Sequence, residues 1–328
     1  MFSIAFLFLT IAVNSTTIFA HEGRPIYPHD LWKAWGLKPG MIAGLILSAF
    51  LYGRGALRMR KQSLAGRGIR WVEAVCFAAG WLAVFVALVS PLDALGKALF
   101  SARVAQHELL ALLAAPMLAL GRPLSALPQS LPAQWRRRLG RAGAGARTRD
   151  LWRKISSPGA ALLIHAAVFW LWHMPPFIQT AIESNPARTA QHLSLLVSAF
   201  IFYDALIRGR DRQMGYGATI TYISADCVSI TLLGALLTDI STVWYPFYER
   251  SAAAWGLTPL EDQWFGGLIM WVSAGAVYAA AGLILFIAWL RELERKVPAR
   301  EKALLLDTGM WNSREWIKTH RDRIRGVK

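Results

Sequence analysis

Residues 162–195 read LLIHAAVFWLWHMPPFIQTAIESNPARTAQHLSL, and the topology that we predict for the chain is built outward from this stretch. An apolar helix is expected to end near His173, because Pro175 and Pro176 lack the backbone N–H that would continue it. A short polar connection follows, and a second apolar helix begins near His192. If both helices cross a bilayer, the two histidines lie at the same membrane face, close to the water.

Apolar runs of similar length recur along the chain, which has 328 residues and is 55% hydrophobic. A helix that crosses a bilayer needs about 20 predominantly apolar residues. The runs therefore predict an all-α integral membrane protein with a seven-helix transmembrane bundle after an N-terminal signal segment. The seven predicted spans are 39–56, 71–90, 102–121, 158–174, 189–207, 217–238 and 264–290.

Basic residues are concentrated in alternate connections between these spans. With the N-terminus outside, the inner loops 53–70, 121–156 and 206–215 and the tail from Arg291 hold 29 of the 36 Lys and Arg residues. Because cytoplasmic loops are enriched in Lys and Arg, this distribution predicts an outer N-terminus and an inner C-terminus. The same distribution explains the net charge of +16. Nucleic-acid binding is not predicted, since no nucleic-acid-binding motif accompanies the charge.

Four segments are expected along the chain. Residues 1–20 form an apolar segment that ends in Ile-Phe-Ala, as a secretory signal segment does before its cleavage site. A periplasmic arm, 21–38, is followed by the transmembrane domain, 39–290, and by a basic cytoplasmic tail, 291–328. The basic loops and the tail are expected to contact membrane lipid headgroups.

Several potential metal ligands fall at the outer ends of the predicted spans. His107 lies near the start of the third span, and His173 and Met174 end the fourth. His192 lies near the start of the fifth span, and Asp262 lies just before the seventh. Imidazole, thioether and carboxylate groups are ligands of copper and zinc. The shared depth predicts a metal site, and the alternative is that these side chains simply meet water and lipid headgroups.

His21 is a further candidate ligand. If the signal segment is removed, this residue becomes the N-terminus, and its α-amine and imidazole together can chelate copper. The alternative is that the arm is merely solvated.

Three polar or polarisable side chains are predicted deeper in the membrane. His165 lies about 12 Å below His173 at 1.5 Å per residue, and Met270 lies about as far below Asp262. Asp226 falls near the middle of the sixth span, where a carboxyl group is costly unless it is protonated or paired. Asp226 is therefore a functional candidate with His165 as its expected partner, and a neutral carboxyl bonded to hydroxyls for packing is the alternative.

Other site chemistries find little support. Cys76 and Cys227 lie within apolar runs outside any C-x-x-C pair, which indicates small buried side chains. The sequence has no P-loop, G-x-S-x-G or H-E-x-x-H motif, so no enzymatic activity is predicted. A deep bis-histidine haem is disfavoured because no second histidine lies at the depth of His165, whereas haem ligation between the outer histidines stays open.

Several stretches resemble a known family. They are QHELLALLAAPMLALGRPL from Gln106, LWHMPPFIQTAIES from Leu171, QHLSLLVSAFIFY from Gln191 and WGLTPLEDQWFGGLIMWVSAGAVY from Trp255. On these motifs the chain resembles the multi-spanning CtaG family of cytochrome c oxidase assembly factors. The resemblance implies a multi-pass protein of the bacterial inner (plasma) membrane that matures a haem-copper oxidase. It further implies copper as the metal, with cytochrome c oxidase subunits and periplasmic copper chaperones as partners.

The resemblance places the outer histidines of the family on His107, His173 and His192. Family members usually carry H-x-x-x-H before the third and fifth spans, but here Arg103 and Arg188 replace the first histidine of each motif. A fixed cation one helical turn from an imidazole should repel a copper ion. The hypotheses are therefore a reduced copper site, a metal-free scaffold that docks an oxidase subunit, and, from another class, a haem or quinone redox protein.

Overall fold

The part of the chain that the structure describes is helical throughout. The computed structural model describes residues 27–62, 68–143, 145–211 and 214–307, and its regular elements within those ranges are all helices. The predicted signal segment, His21 and the last 21 residues of the predicted tail lie outside the described residues.

The α-helices are numbered in chain order. They are α1 (Pro39–Gln62), α2 (Trp71–Val89), α3 (Pro91–Ala98), α4 (Phe100–Glu108), α5 (Ala115–Leu120), α6 (Pro123–Ser130), α7 (Ala133–Gly143), α8 (Ala146–Ile155), α9 (Pro158–His173), α10 (Pro175–Glu183), α11 (Asn185–Asp211), α12 (Tyr216–Asp239), α13 (Glu249–Ala253) and α14 (Pro259–Asp307). A π-helical stretch, Leu109–Ala114, joins α4 to α5, and Pro28–Lys33 and Pro246–Tyr248 form 3-10 turns.

Six helical segments among the described residues are long and apolar enough to cross a membrane. They are Pro39–Lys61, Trp71–Val89, Phe100–Leu120, Asn185–Ile207, Tyr216–Asp239 and Pro259–Glu294. Each coincides with a predicted span, which confirms the helical membrane-protein class.

The remaining predicted span, 158–174, the fourth in chain order, is not one long helix. Helix α9 has 16 residues and meets α8 at a bend of 68°, so the pair makes a further crossing only as a broken span. The count of seven, the orientation and the signal segment stay predictions.

Prolines set the ends of α9 and α10. Pro158 and Pro175 each occupy the first turn of a helix, where a missing N–H costs no hydrogen bond. Met174 is extended between the two helices, as expected for a residue before proline. The predicted Pro-Pro turn is therefore a break of one residue, followed by the short helix α10.

The span from Phe100 to Leu120 packs against α2 and α11, and most of its residues are buried. In its π-helical stretch the N–H of Ala115 bonds to the carbonyl of Leu110, five residues back. This wider turn directly precedes Pro116, which cannot supply the usual helical hydrogen bond. The π-helical stretch thus shows how the helix accommodates this proline.

Close contact between α12 and α14 depends on glycine. A Cβ on Gly267 would lie 2.6 Å from the carbonyl oxygen of Gly234 and 2.9 Å from the backbone nitrogen of Thr238. Any larger residue at position 267 would therefore push the two helices apart.

The residues from Ala279 onward form a second unit. Its described part continues α14 as a helix to Asp307. All side chains of the candidate site belong to the first unit, which ends at Tyr278.

Candidate functional site

Three buried histidines from three helices meet in the first unit. His107 lies in the last turn of α4, His173 ends α9, and His192 lies two turns into α11. The ring centroid of His107 is 5.4 Å from that of His173 and 6.1 Å from that of His192. The structure thus brings together the three imidazoles that the sequence placed at one depth, and we call them the three-histidine cluster.

Most ring nitrogens of the cluster lack a hydrogen-bond partner. His173 Nδ1 lies 2.7 Å from the carbonyl oxygen of Phe169, which can only accept, so Nδ1 carries the hydrogen and Nε2 the lone pair. That Nε2, both nitrogens of His107 and Nε2 of His192 are buried without a hydrogen bond. Because buried polar atoms are almost always paired, these nitrogens suggest a ligand.

The ring spacing suits coordination, although a metal site is not preformed. A metal ion takes imidazole nitrogens at about 2.0–2.1 Å, which places the centroids of two ligating rings roughly 5–6 Å apart. Within the described ranges, no group of three or more His, Cys, Asp or Glu side chains is already arranged to hold a metal ion. The rings would therefore have to turn to share one ion.

Two other predicted ligands, Asp262 and Met174, have surroundings of their own in the structure. Asp262 accepts hydrogen bonds from the backbone nitrogens of Phe100 and Ser101 at 2.6 and 3.0 Å and from the Ser101 hydroxyl, so both carboxylate oxygens are occupied. Met174 is half exposed at the end of α9. Ligation by Asp262, Met174 and His21 stays a prediction, but the structure gives Asp262 a different set of partners.

Arg103 is fully buried beside the cluster. Its Nε donates to the carbonyl of Gly96 at 3.0 Å and to the Tyr248 hydroxyl at 2.8 Å, and Nη1 donates to Gln191 Oε1 at 2.8 Å. All three acceptors are neutral. The guanidinium is consequently a fixed positive charge within the packing that positions His107.

Arg188 is buried as well and lies one turn before His192. One terminal nitrogen of its guanidinium bonds to Asn185 Oδ1, while the other, Nη1, is buried without a partner. Both arginines that replace family histidines are therefore part of the protein interior.

Asp93 is not among the predicted site residues, yet it is a buried carboxylate on α3 that accepts from Gln106 Nε2 at 3.4 Å. Burial alone would raise its pKa, but His192 and the positive charges of Lys97 and Arg188 outweigh burial and hold the pKa below its usual range. Burial, assisted by the charge of Arg188, lowers the pKa of Lys97 to about 8. An acidic residue in the first turn of a helix between two spans was the available signal.

Two tyrosines attach the loop before α13 to residues of the site. The Tyr245 hydroxyl donates to the carbonyl of His173 at 2.7 Å, and its ring stacks on Phe100 at 4.1 Å between centroids. Burial raises the pKa of Tyr248, and the charge of Arg103 opposes the rise. Both phenols are thus neutral anchors for the backbone and for Arg103.

The deep ionisable groups also come together. His165 Nε2 lies 3.9 Å from Asp226 Oδ2, and both side chains are buried, as is Met270. Glu108, which follows His107 in the chain, accepts from the Ser273 hydroxyl at 3.0 Å and is buried as well. Its position next to His107 gave no signal for this, because consecutive helical residues point in different directions.

Comparison with known proteins gives a family and several relatives. The family model for the cytochrome c oxidase caa3 assembly factor (Caa3_CtaG) matches residues 50–292. Uncharacterized proteins of Mycobacterium bovis and Mycobacterium tuberculosis are each 28% identical over 272 residues, which cover 79% of this chain and 39% of the relative. An uncharacterized protein of Mycobacterium leprae is 24% identical over 313 residues, 90% of this chain and 45% of the relative. The chain therefore spans less than half the length of these curated relatives. No solved structure matches it.

Proposed function

The chain belongs to the cytochrome c oxidase caa3 assembly factor family, and from this premise we propose that it holds copper at the three-histidine cluster for delivery to a haem-copper oxidase. The observation that carries the proposal is the meeting of three buried imidazoles whose Nε2 atoms all lack a hydrogen bond. Imidazole is a ligand that copper accepts in both binding and transfer sites. Copper is here a cargo, and the protein is an assembly factor rather than an enzyme.

The surroundings of the cluster fix one imidazole and place positive charge near the others. The bond from His173 Nδ1 to Phe169 keeps the lone pair on Nε2, which is the atom available to a metal. The buried charges of Arg103 and Arg188 oppose binding of a cation, because charge repulsion is weakly screened in a buried site. Weak retention suits a carrier that must release its ion.

The distribution of Lys and Arg supports an assignment of the three-histidine cluster to one face of the membrane. The 29 basic residues lie in the connections at one set of span ends, and the cluster lies at the opposite set. This arrangement supports a periplasmic location for the cluster in the bacterial inner membrane. Copper then arrives from a periplasmic copper chaperone and leaves to an oxidase subunit.

A second candidate function is a metal-free scaffold that docks an oxidase subunit. Two observations favour it: no metal-holding group is preformed among the described residues, and buried arginines adjoin the cluster. The loop STVWYPFYERSAAAWG, residues 241–256, lies near the same end, and its partly exposed aromatic side chains, Trp244, Phe247 and Trp255, would form the docking surface.

Metal analysis of the purified protein tests the first proposal. After loading with Cu(I) under reducing conditions, we expect about one copper per chain, lost in the triple variant His107→Ala/His173→Ala/His192→Ala. His29→Ala is the matched control, because this histidine is exposed on the 3-10 turn of the arm. Oxidase activity in cells should fall with the triple variant and survive the control.

Two outcomes count against copper delivery. Wild-type protein without copper above background, in cells whose oxidase still depends on the chain, supports the scaffold instead. Copper that is retained by the triple variant would place the ion elsewhere and overturn the assignment to the three-histidine cluster.

A further inference from the structure

A row of buried polar side chains, joined by two hydrogen bonds and one ion-pair contact of 3.9 Å, crosses four helices deeper in the first unit. It comprises Tyr203 of α11, Tyr278 of α14, Asp226 of α12 and His165 of α9. These side chains are 7, 5, 0 and 1% exposed, respectively. They share no residue with the three-histidine cluster, and the inference drawn from them does not rest on copper binding.

The hydrogen positions at one end of the row follow from its partners. The Ser198 hydroxyl donates to the carbonyl of Leu195 at 3.1 Å, so its oxygen accepts from His165 Nδ1 at 3.1 Å. A neutral ring with hydrogen on Nδ1 carries its lone pair on Nε2. That lone pair faces Asp226 Oδ2 at 3.9 Å. Two acceptor atoms facing each other repel unless one of them carries a proton.

The other end of the row directs donors at the same carboxyl group. The Tyr278 hydroxyl donates to Asp226 Oδ2 in a short hydrogen bond, and its oxygen is then available to accept from Tyr203 at 3.4 Å. Asp226 Oδ1 is buried without any partner. No Lys or Arg of the described residues lies within ion-pair distance of Asp226, whose ion-pair partner is His165.

We propose that Asp226 and His165 form a proton-binding site inside the membrane domain, with Tyr278 and Tyr203 as its hydroxyl relay. An ionised carboxylate without a cationic partner is costly within a bilayer, and a bound proton removes this cost. The proton comes from water and resides on the Asp226 carboxyl or, after transfer across the pair, on His165 Nε2. No electron or other group moves with it.

The titratable groups that face Asp226 include a second acid. They are His165 of α9, Tyr278 of α14, Tyr203 of α11, Tyr222 of α12 itself and Glu108 of α4. Either acid would give a carboxyl signal if it carried a proton. A measurement must therefore separate Asp226 from Glu108.

Infrared spectroscopy of the full chain in detergent tests the proposal. A protonated carboxyl gives a carbonyl stretch that is distinct from the carboxylate bands and sensitive to exchange into D₂O. We expect such a band at pH 7, lost in Asp226→Asn and retained in Asp150→Asn, which alters an exposed acid on α8. Glu108→Gln should remove at most a separate band. The triple histidine variant should keep the Asp226 band, so this result is independent of copper binding.

Tyr278→Phe provides a test that does not depend on how well Asp226→Asn folds. The substitution keeps the aromatic ring and removes the hydroxyl that donates to Asp226, so the carbonyl band should move to higher frequency. A carbonyl band that persists in Asp226→Asn and keeps its frequency in Tyr278→Phe would overturn the proposal. Loss of the wild-type band when NaCl replaces KCl would also overturn it, because the site would then bind a metal cation.

Discussion

The carboxylate of Asp262 on α14 accepts a hydrogen bond from the backbone nitrogen of Ser101 on α4 at 3.0 Å, although 161 residues separate them. Helix α4 begins after Leu99, whose side chain cannot cap it. Asp262 therefore supplies the cap from another helix and places a negative charge at a positive helix end. This contact fixes the start of the helix that carries His107.

The cap predicts a structural role for Asp262. Asp262→Ala should destabilise the protein by about 1–2 kcal/mol, because it removes a cap and leaves buried N–H groups unpaired. The measurement is the unfolding midpoint in detergent, with Glu249→Ala at an exposed position as the control. Copper content at low temperature should change little. If Asp262→Ala instead lost its copper while its unfolding midpoint stayed unchanged, Asp262 would be a copper ligand.

Contact between α12 and α14 gives a second prediction. Gly267→Ala should cost about 1–3 kcal/mol, since the new methyl group would press on the backbone of Gly234 and the helices would have to separate. Gly275→Ala lies on the same helix with nothing within 4 Å of the added Cβ, and it should be neutral or slightly stabilising. Equal unfolding midpoints for the two variants would contradict the close helix contact.

The positions of the long helices could be predicted from the sequence because length and hydropathy are local properties. The depth of His107, His173 and His192 followed from where each span starts or ends. Rotation about each helix axis could not be predicted, since it depends on packing partners distant in sequence. For that reason the sequence predicts Met174 as a ligand although its side chain is half exposed, and it gives no sign of the bond between Glu108 and Ser273.

The hydrogen-bond partners of charged groups were also difficult to predict from the sequence. The depth of Asp262 predicts a ligand. In the structure, both of its carboxylate oxygens accept hydrogen bonds from backbone nitrogens at the start of α4. The pairing of Asp226 with His165 could be anticipated, because a carboxyl group at that depth needs a partner and few polar side chains share it.

Lys97 gives a prediction about pH. Burial first, and then the charge of Arg188, lower its pKa from 10.5 to about 8 in the folded protein. Below pH 8 both the folded and unfolded states are protonated, so the penalty for burying the charge is constant. Between about pH 8 and 10.5 the unfolded state binds more protons, and the stability contributed by this group rises with pH.

Lys97→Met should therefore stabilise the protein at pH 7 and remove this rise. The measurement is the unfolding midpoint from pH 7 to 10, taken as the difference between wild type and variant. Lys33→Met, which alters a largely exposed lysine of the arm, should leave the profile unchanged. A difference that is flat across this range would mean that Lys97 keeps an ordinary pKa.

Arg188 tests how charge controls the proposed copper site. Its guanidinium lies one turn before His192 and has one unpaired nitrogen, so Arg188→Gln removes a positive charge and few contacts. We expect roughly tenfold tighter Cu(I) binding in a competition titration, corresponding to about 1.4 kcal/mol of relieved repulsion. Oxidase maturation should fall at the same time, because a carrier that binds more tightly releases more slowly.

Arg250→Gln removes an equal charge from an exposed position on α13 and should leave affinity unchanged. Arg103→Gln is a less suitable probe, since it would also break the hydrogen bonds to Gly96 and Tyr248 and lower stability. Unchanged copper affinity in Arg188→Gln would show that this charge does not act on the imidazoles. Weaker affinity would show that Arg188 supports the site, for instance by holding His192 in place, and either result would remove charge repulsion as the basis for release.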